Sequence, residues 1–593
     1  MKLLGAFSSL VMASSLWAEE ASFSIPVYDL TGVITEGGQA ETNLFGFDPN
    51  PQRPITHFDI VTSLERAVES EEVPAVVVEL DQAGFSFAQL EEIRRKMLAV
   101  QKAGKEVWLY TDNLSFQTAL LGSAATEVVL NPEGGVMMSG LHSENLYFKG
   151  LLDKLGVLVD VVHIGDFKSA GENFYRKGPS EAAQKQSGLL LDSLYNTLVT
   201  EIAQGREITR DSLHAFIDRG VVTAEEAQKA GLVDRLQSRT DFVTTLEEKY
   251  GEEAIFDRSY VRNGEEDPEI KGFFDLMKLL FNSKKSSVSD EPYLGVVVLD
   301  SAISFASIEP VRSEVLKLVH DEMCEALVLR VNSPGGSALA SEVLWEALDE
   351  FSQTERPFIV SMGSVAASGG YYVASGADMI FAEPMTITGS IGVVGMKVAL
   401  GEMMDSIGVT THEMKRGAHA DLYNSTRRFS PVEREMVRES MLEVYDVFKQ
   451  RIIDGRGERL VGELEPLAGG RVYSGRDALR VGLVDEVGGL GEAMTHAREL
   501  AELDSLNTIL LPRPKSPFDT LFPQSLDEDE GEEFISLGKA GEPLSLLEGW
   551  MSQDVAFKFL PIEKRQQVDL HLSQLQSLQQ DRIQLIAPPL PNF

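Results

Sequence analysis

Apolar and polar positions fall into two recurring patterns along this chain of 593 residues. Val76–Leu80, Leu327–Val331 and Phe358–Met362 are short runs dominated by β-branched and aliphatic residues. Such runs predict strands buried on both faces. Four longer stretches, Ala88–Gln101, Ala182–Ala203, Ser341–Phe351 and Pro431–Arg451, repeat their apolar positions with helical spacing. Strands alternating with helices predict an α/β fold with parallel strands.

The same pattern also repeats on the scale of a domain. GLVD occurs at Gly231–Asp234 and again at Gly482–Asp485, an offset of 251. In nearly the same register, SAATEVVLNPEG (Ser123–Gly134) lies over SGADMIFAEPMT (Ser375–Thr386). AVVVELDQAG (Ala75–Gly84) lies over ALVLRVNSPG (Ala326–Gly335), and Arg176, Pro179 and Glu181 lie over Arg428, Pro431 and Glu433. Matches this extended mean duplication of a whole domain rather than a solenoid of short repeats. The expected organisation is a first copy over 19–262, a linker over 263–292, a second copy over 293–512 and a tail over 513–593. Within the linker, FFDLMKLLF (Phe273–Phe281) reads as a docking helix. The tail begins Pro-rich and acidic, as an exposed linker does. Its Gln/Leu-rich stretch Val568–Ile586 has the spacing of a terminal helix.

Residues 1–18, MKLLGAFSSLVMASSLWA, place one lysine before an apolar, small-residue run. That is the grammar of a secretory signal, with a short uncleaved anchor as the alternative. Lys plus Arg number 53 and Asp plus Glu 92, for a formal net charge of −39. So acidic a chain is not a general nucleic-acid binder, which needs clustered cations against phosphate. Cys324 is the single cysteine, which excludes an intrachain disulfide and a cysteine-based zinc cage. The nine histidines include no pair at metal-ligand helical spacing, so no metal or cofactor is expected.

Three segments of the second copy carry candidate chemistry. RVNSPGGSA (Arg330–Ala338) ends a strand in a turn that exposes backbone N–H groups. SMGSVAASGGYYVAS (Ser361–Ser375) runs a strand into a helix that starts at Ser368 among alanines and glycines. A serine there is ordinarily a helix cap. Tiny neighbours also let a substrate backbone approach its hydroxyl, and the helix start offers N–H groups for an oxyanion. TITGSIG (Thr386–Gly392) is a Gly-Ser turn. In the repeat register, Ser368 falls on Phe116, Gly369 on Gln117 and Ser390 on Met138. Conversely, GDFKSAGENFYRKGPSE (Gly165–Glu181) carries Lys168 where the second copy has Ala420. Each copy holds half of a site. A serine nucleophile needs a base, and a lysine can serve if burial favours its neutral form.

NSPGG, AASGGYY, TGSIG and GDFKSA, in that distribution over the copies, resemble the long tandem-copy form of the signal peptide peptidase A (protease IV) family. The resemblance covers about residues 20–510. It implies two tandem Clp protease/crotonase-like α/β domains. It implies Ser368 as nucleophile, Lys168 as general base and Ser390 as the serine that orients the lysine. Gly335 or Gly336, with Gly369, would form the oxyanion hole. The implied activity is a Ser/Lys endopeptidase acting on cleaved signal peptides and other apolar peptides. The implied setting is exported and periplasmic, at the inner membrane, as a homo-oligomer, with a tetramer expected. A crotonase-type acyl-CoA enzyme or a non-catalytic peptide-binding scaffold are the competing readings.

Overall fold

Ala75–Glu79 and Cys324–Ser333 are the strands that the aliphatic runs predict, and they occupy equivalent places in two sheets. The structure is a computed structural model that describes residues 23–32, 34–37, 55–80, 84–251, 254–262, 289–503, 507–512 and 583–588. The signal-like segment 1–18, the helix expected over Phe273–Phe281 and the acidic stretch after Pro512 lie outside the described residues.

The first sheet is wholly parallel, in the order Ile255–Asp257, Ser24–Asp29, Ala75–Glu79, Glu106–Thr111, Glu127–Leu130, Arg235–Leu236. The second sheet repeats this order with Thr508–Leu511, Tyr293–Leu299, Cys324–Ser333, Phe358–Ala367, Met379–Ala382 and Glu486–Val487. It adds Ile387–Gly389 and Val472–Ser474 at one end of the Phe358–Ala367 strand. The duplication in sequence is thus a duplication of α/β architecture, as the resemblance implies.

The long helices begin where side chains can cap them. Ser86, Ser180 and Ser430 each accept the N–H three residues on, opening Phe87–Lys102, Glu181–Gly205 and Pro431–Arg456. Pro431 sits in the first turn of the last of these, where its missing N–H costs nothing. Among the described residues, no helix is long and apolar enough to cross a membrane.

Among the contacts that join the copies, two features stand out. The first is a third sheet that belongs to both. Leu158–Ile164 of the first copy pairs antiparallel with Val393–Ala399 of the second over seven residues. Gln584–Ile586 pairs antiparallel with Gly335–Ser337 and meets Val394 on its other side. These three residues, expected at the end of a terminal helix, form a strand instead. Edge pairing on two sides outweighs the helical spacing of so short a segment.

The second feature is a buried ion network. Arg330 of the second copy, 1% exposed, lies 2.9 Å from Glu36 and 3.1 Å from Glu92 of the first. Glu92 also bonds His57 at 2.8 Å and accepts the N–H groups of Leu490 and Gly491 at a helix start. Burial pushes the Glu92 carboxyl up, but Arg330, His57 and Lys96 outweigh it and hold it well below the ordinary carboxylate range.

Candidate active site

The strand Phe358–Ala367 delivers Ser368 to the start of the short helix Gly369–Ala374. The chain turns sharply there. Ser368 has φ 56° and ψ −113°, a conformation that costs a non-glycine residue about 1–3 kcal/mol. Backbone bonds hold it in place: its N–H donates to Gly389 O at 2.7 Å and its carbonyl accepts the Tyr372 N–H at 2.8 Å. The two tyrosines of the motif fasten the helix. Tyr371 donates to Leu483 O at 2.8 Å, and the Tyr372 ring lies 4.8 Å from that of Phe448.

The Ser368 hydroxyl does not cap its helix. By contrast, the equivalent helix of the first copy, Phe116–Gly122, has an ordinary cap, Ser115, which accepts the Thr118 N–H. The Ser368 hydroxyl instead lies 2.8 Å from Lys168 Nζ. Lys168 also reaches Ser390 O at 2.8 Å and Ser390 Oγ at 3.0 Å. Ser390, itself at φ 53°, follows directly on Gly389, the residue that receives the Ser368 N–H. All three side chains are sealed, at 0%, 1% and 0% exposure for Ser368, Lys168 and Ser390. Burial drives the Lys168 amine well below its ordinary value.

The lysine comes from the other copy because the Leu158–Ile164 strand aims the next loop across the junction. Phe167 N–H donates to Gly469 O at 2.9 Å, and the Arg471 guanidinium lies 3.7 Å over the Phe167 ring. Gly470, at φ +85°, faces Lys168 so closely that a Cβ there would collide with the Lys168 backbone N. A Cβ on Gly392 would stand 3.1 Å from Lys168 Cδ. With Gly392 of the TITGSIG turn, Gly469, Gly470 and Arg471 therefore position Lys168, and the motifs single out none of these three. Their signal in the sequence was the Gly-Gly dipeptide of PLAGGRV (Pro466–Val472).

The glycine turn of the oxyanion candidates packs onto the serine's helix. A Cβ on Gly369 would sit 2.6 Å from Ser341 Oγ and 3.2 Å from Gly336 N. The helix start and the NSPGG turn thus meet backbone to backbone. Gly369 opens its helix, so its N–H has no intrahelical carbonyl to bond. The two alternatives at the turn separate. The Gly335 N–H is taken by Ser333 Oγ at 3.2 Å, whereas Gly336 pairs with Leu585 of the Gln584–Ile586 strand.

The model of peptidase family S49 matches residues 99–252 and again 350–504. The chain belongs to peptidase family S49. With it, the chain belongs to the serine proteases. The first matched segment contains Lys168 and the second contains Ser368 and Ser390. Protease 4 of Salmonella typhi is 30% identical over 82% of this chain and 80% of its own length. Protease 4 of Haemophilus influenzae is 32% identical over 76% of this chain and 73% of its own. The chloroplastic serine protease SPPA of Arabidopsis thaliana is 29% identical over 74% of this chain, which spans 64% of that protein. The S49 match falls twice on one chain, in step with the doubled sheet.

Proposed function

We propose that the chain is a Ser/Lys endopeptidase whose nucleophile, Ser368, and base, Lys168, come from different copies. The observation that carries this is a buried amine 2.8 Å from a hydroxyl that caps nothing. A neutral lysine has two N–H bonds and one lone pair. Ser390 O and Ser390 Oγ can accept the two N–H groups, which turns the lone pair toward Ser368. As Ser368 Oγ attacks the peptide carbonyl, its proton passes to Lys168 and the C–O bond forms. The N–H groups of Gly336 and Gly369 stabilise the oxyanion, and losing one such donor costs ~10²–10³ in rate. Collapse breaks the C–N bond and Lys168 returns the proton to the leaving amine. Water, deprotonated by Lys168, then hydrolyses the acyl-enzyme and regenerates Ser368.

The substrates on this reading are extended apolar peptides, cleaved signal peptides among them. Support comes from the family resemblance and from the apolar run that follows Ser390, where Ile391, Val393 and Val394 are each 0% exposed. Action in an exported compartment at the inner membrane, as a homo-oligomer such as a tetramer, rests on the signal grammar of residues 1–18 and on the family resemblance. The test is hydrolysis of an apolar fluorogenic peptide by wild type, Ser368→Ala and Lys168→Ala. Loss of cleavage in both variants, with folding and assembly unchanged, supports the reading. Equal cleavage by all three overturns it.

A further inference from the structure

Ile583–Pro588 lies between the glycine turn and the Val393–Ala399 strand, and its placement has the features of a bound peptide. Gln584–Ile586 fills the gap between Gly335–Ser337 and Val393–Ala399, so the shared sheet is continuous only with the tail in place. Main-chain bonds flank it at both ends. Ala587 N–H donates to Pro334 O at 2.8 Å, and Ala338 N–H donates to Ile583 O at 3.3 Å. This is strand addition to a sheet edge, the way extended peptides are commonly held.

The side chains alternate between two apolar sites. Leu585 is buried in the core around Tyr371 and Ile391, while Ile586 is buried against Val161, Phe174 and Met396. The tail's backbone approaches the catalytic turn closely. Gly336 is the residue paired with Leu585. A Cβ on Gly335 would collide with Leu585 O and would lie 2.6 Å from Gly369 N. The Leu585 carbonyl thus stands beside the N–H groups of Gly336 and Gly369. Beyond the strand, Pro588 reaches a cavity of about 590 Å³ that Ser169 and Asn173 also line. Both amide atoms of Asn173 are buried there without a partner.

We propose that Ile583–Pro588 is a built-in competitive occupant of the peptide cleft: it seats as a substrate strand, seals Ser368, and must be displaced for turnover. The proposal rests on the peptidase reading above and extends it to regulation. It explains why a would-be nucleophile is 0% exposed. A strand of three residues is short enough to exchange for a substrate strand, and its covalent attachment makes its return intramolecular.

The test uses the full chain in two variants and three measurements. The first carries Gln584→Cys with Val394→Cys, residues paired directly across the two strands. The only native cysteine, Cys324, is buried. Oxidation, checked by mass, should lock the tail in place and lower hydrolysis of an apolar peptide by about tenfold or more, with reductant restoring it. The second carries Leu585→Asp and Ile586→Asp, which should raise kcat/KM by about tenfold through a lower KM. The third measurement adds a synthetic peptide of residues 581–590 to that variant and should give competitive inhibition. A cross-linked chain that cleaves as fast as the reduced one overturns the proposal, whatever the aspartate variant does. Labelling of Ser368 by a fluorophosphonate separates the two failures. If Ser368 is labelled and all forms cleave equally, the tail proposal alone falls. If Ser368 takes no label and nothing cleaves even in the reduced, tail-displaced forms, the peptidase reading falls and the tail proposal with it.

Discussion

Ile164 of the first copy pairs with Val393 of the second, four residues before Lys168 and three after Ser390. This one register brings an amine to a serine 200 positions away in sequence. The register holds because both strands are apolar on the shared face, with Val159 and Val161 packed on Met396 and Val398. A slip of one residue would turn every side chain to the wrong face and carry Lys168 away from Ser368.

Gly470 should be as important to turnover as a residue that touches substrate. Its φ of +85° and its closeness to the Lys168 backbone leave no room for a side chain. Gly470→Ala should lower kcat by about 10²-fold, the usual effect of misplacing a reacting group by an ångström, with KM less affected. Steady-state kinetics would show it, and a kcat within about twofold of wild type would remove Gly470 from the positioning set.

Lys168 should make the fold pay for its function. Its pKa is depressed by burial in the native state, whereas the unfolded chain titrates near the ordinary lysine value of 10.5. Between the depressed value and 10.5 the unfolded state binds the extra proton, so stability from this group rises with pH across that window. Below the window its burial costs most. Lys168→Met should therefore be inactive yet at least as stable as wild type near neutral pH, and its stability should rise less toward alkaline pH. Urea unfolding of both proteins at several pH values gives the comparison.

Much of this architecture was legible in the sequence, and the parts that were not have a common cause. The aliphatic runs and helical spacing located Cys324–Ser333, Phe358–Ala367 and the four long helices to within a few residues. Ser368, Lys168 and Ser390 stood in motifs, and the structure brings all three together. The junction was less visible because pairing between Leu158–Ile164 and Val393–Ala399 is non-local, and neither strand names its partner. Arg330, Glu36 and Glu92 look like ordinary surface charges until the fold buries them together. In the tail, Gln and Leu at helical spacing hid a short run, Ile583–Ala587, that a sheet edge could capture.

Ser368 should be more tolerant of glycine than of alanine. At φ 56° and ψ −113° an alanine keeps the backbone strain and a glycine relieves it. Ser368→Gly should be more stable than Ser368→Ala by about 1 kcal/mol, with both inactive. Thermal unfolding in parallel would decide it, and an Ala variant more stable than the Gly variant would contradict the geometry.

The buried network should hold the two halves of the site together. Removing Arg330 takes the guanidinium away from two buried carboxylates and leaves Glu36 with Gln89 and Glu92 with His57 and the Leu490 and Gly491 N–H groups. Arg330→Met should cost about 3–5 kcal/mol. Replacing Arg330 and both carboxylates with apolar residues or amides should recover part of that loss. Denaturant midpoints measure it, and a cost under about 1 kcal/mol would mean the network is not what joins the copies.

The central claim is that a lysine of one copy activates a serine of the other. Its most direct measurement is the rate at which a fluorophosphonate labels Ser368 as a function of pH, in wild type and Lys168→Ala. This reads the hydroxyl's nucleophilicity without a peptide substrate. The account predicts a wild-type rate that rises with pH through an apparent pKa well below 10.5, as the amine loses its proton, and a variant that labels slowly with no such rise. Equal rates and equal pH profiles in the two proteins, or labelling at a different serine, would contradict it.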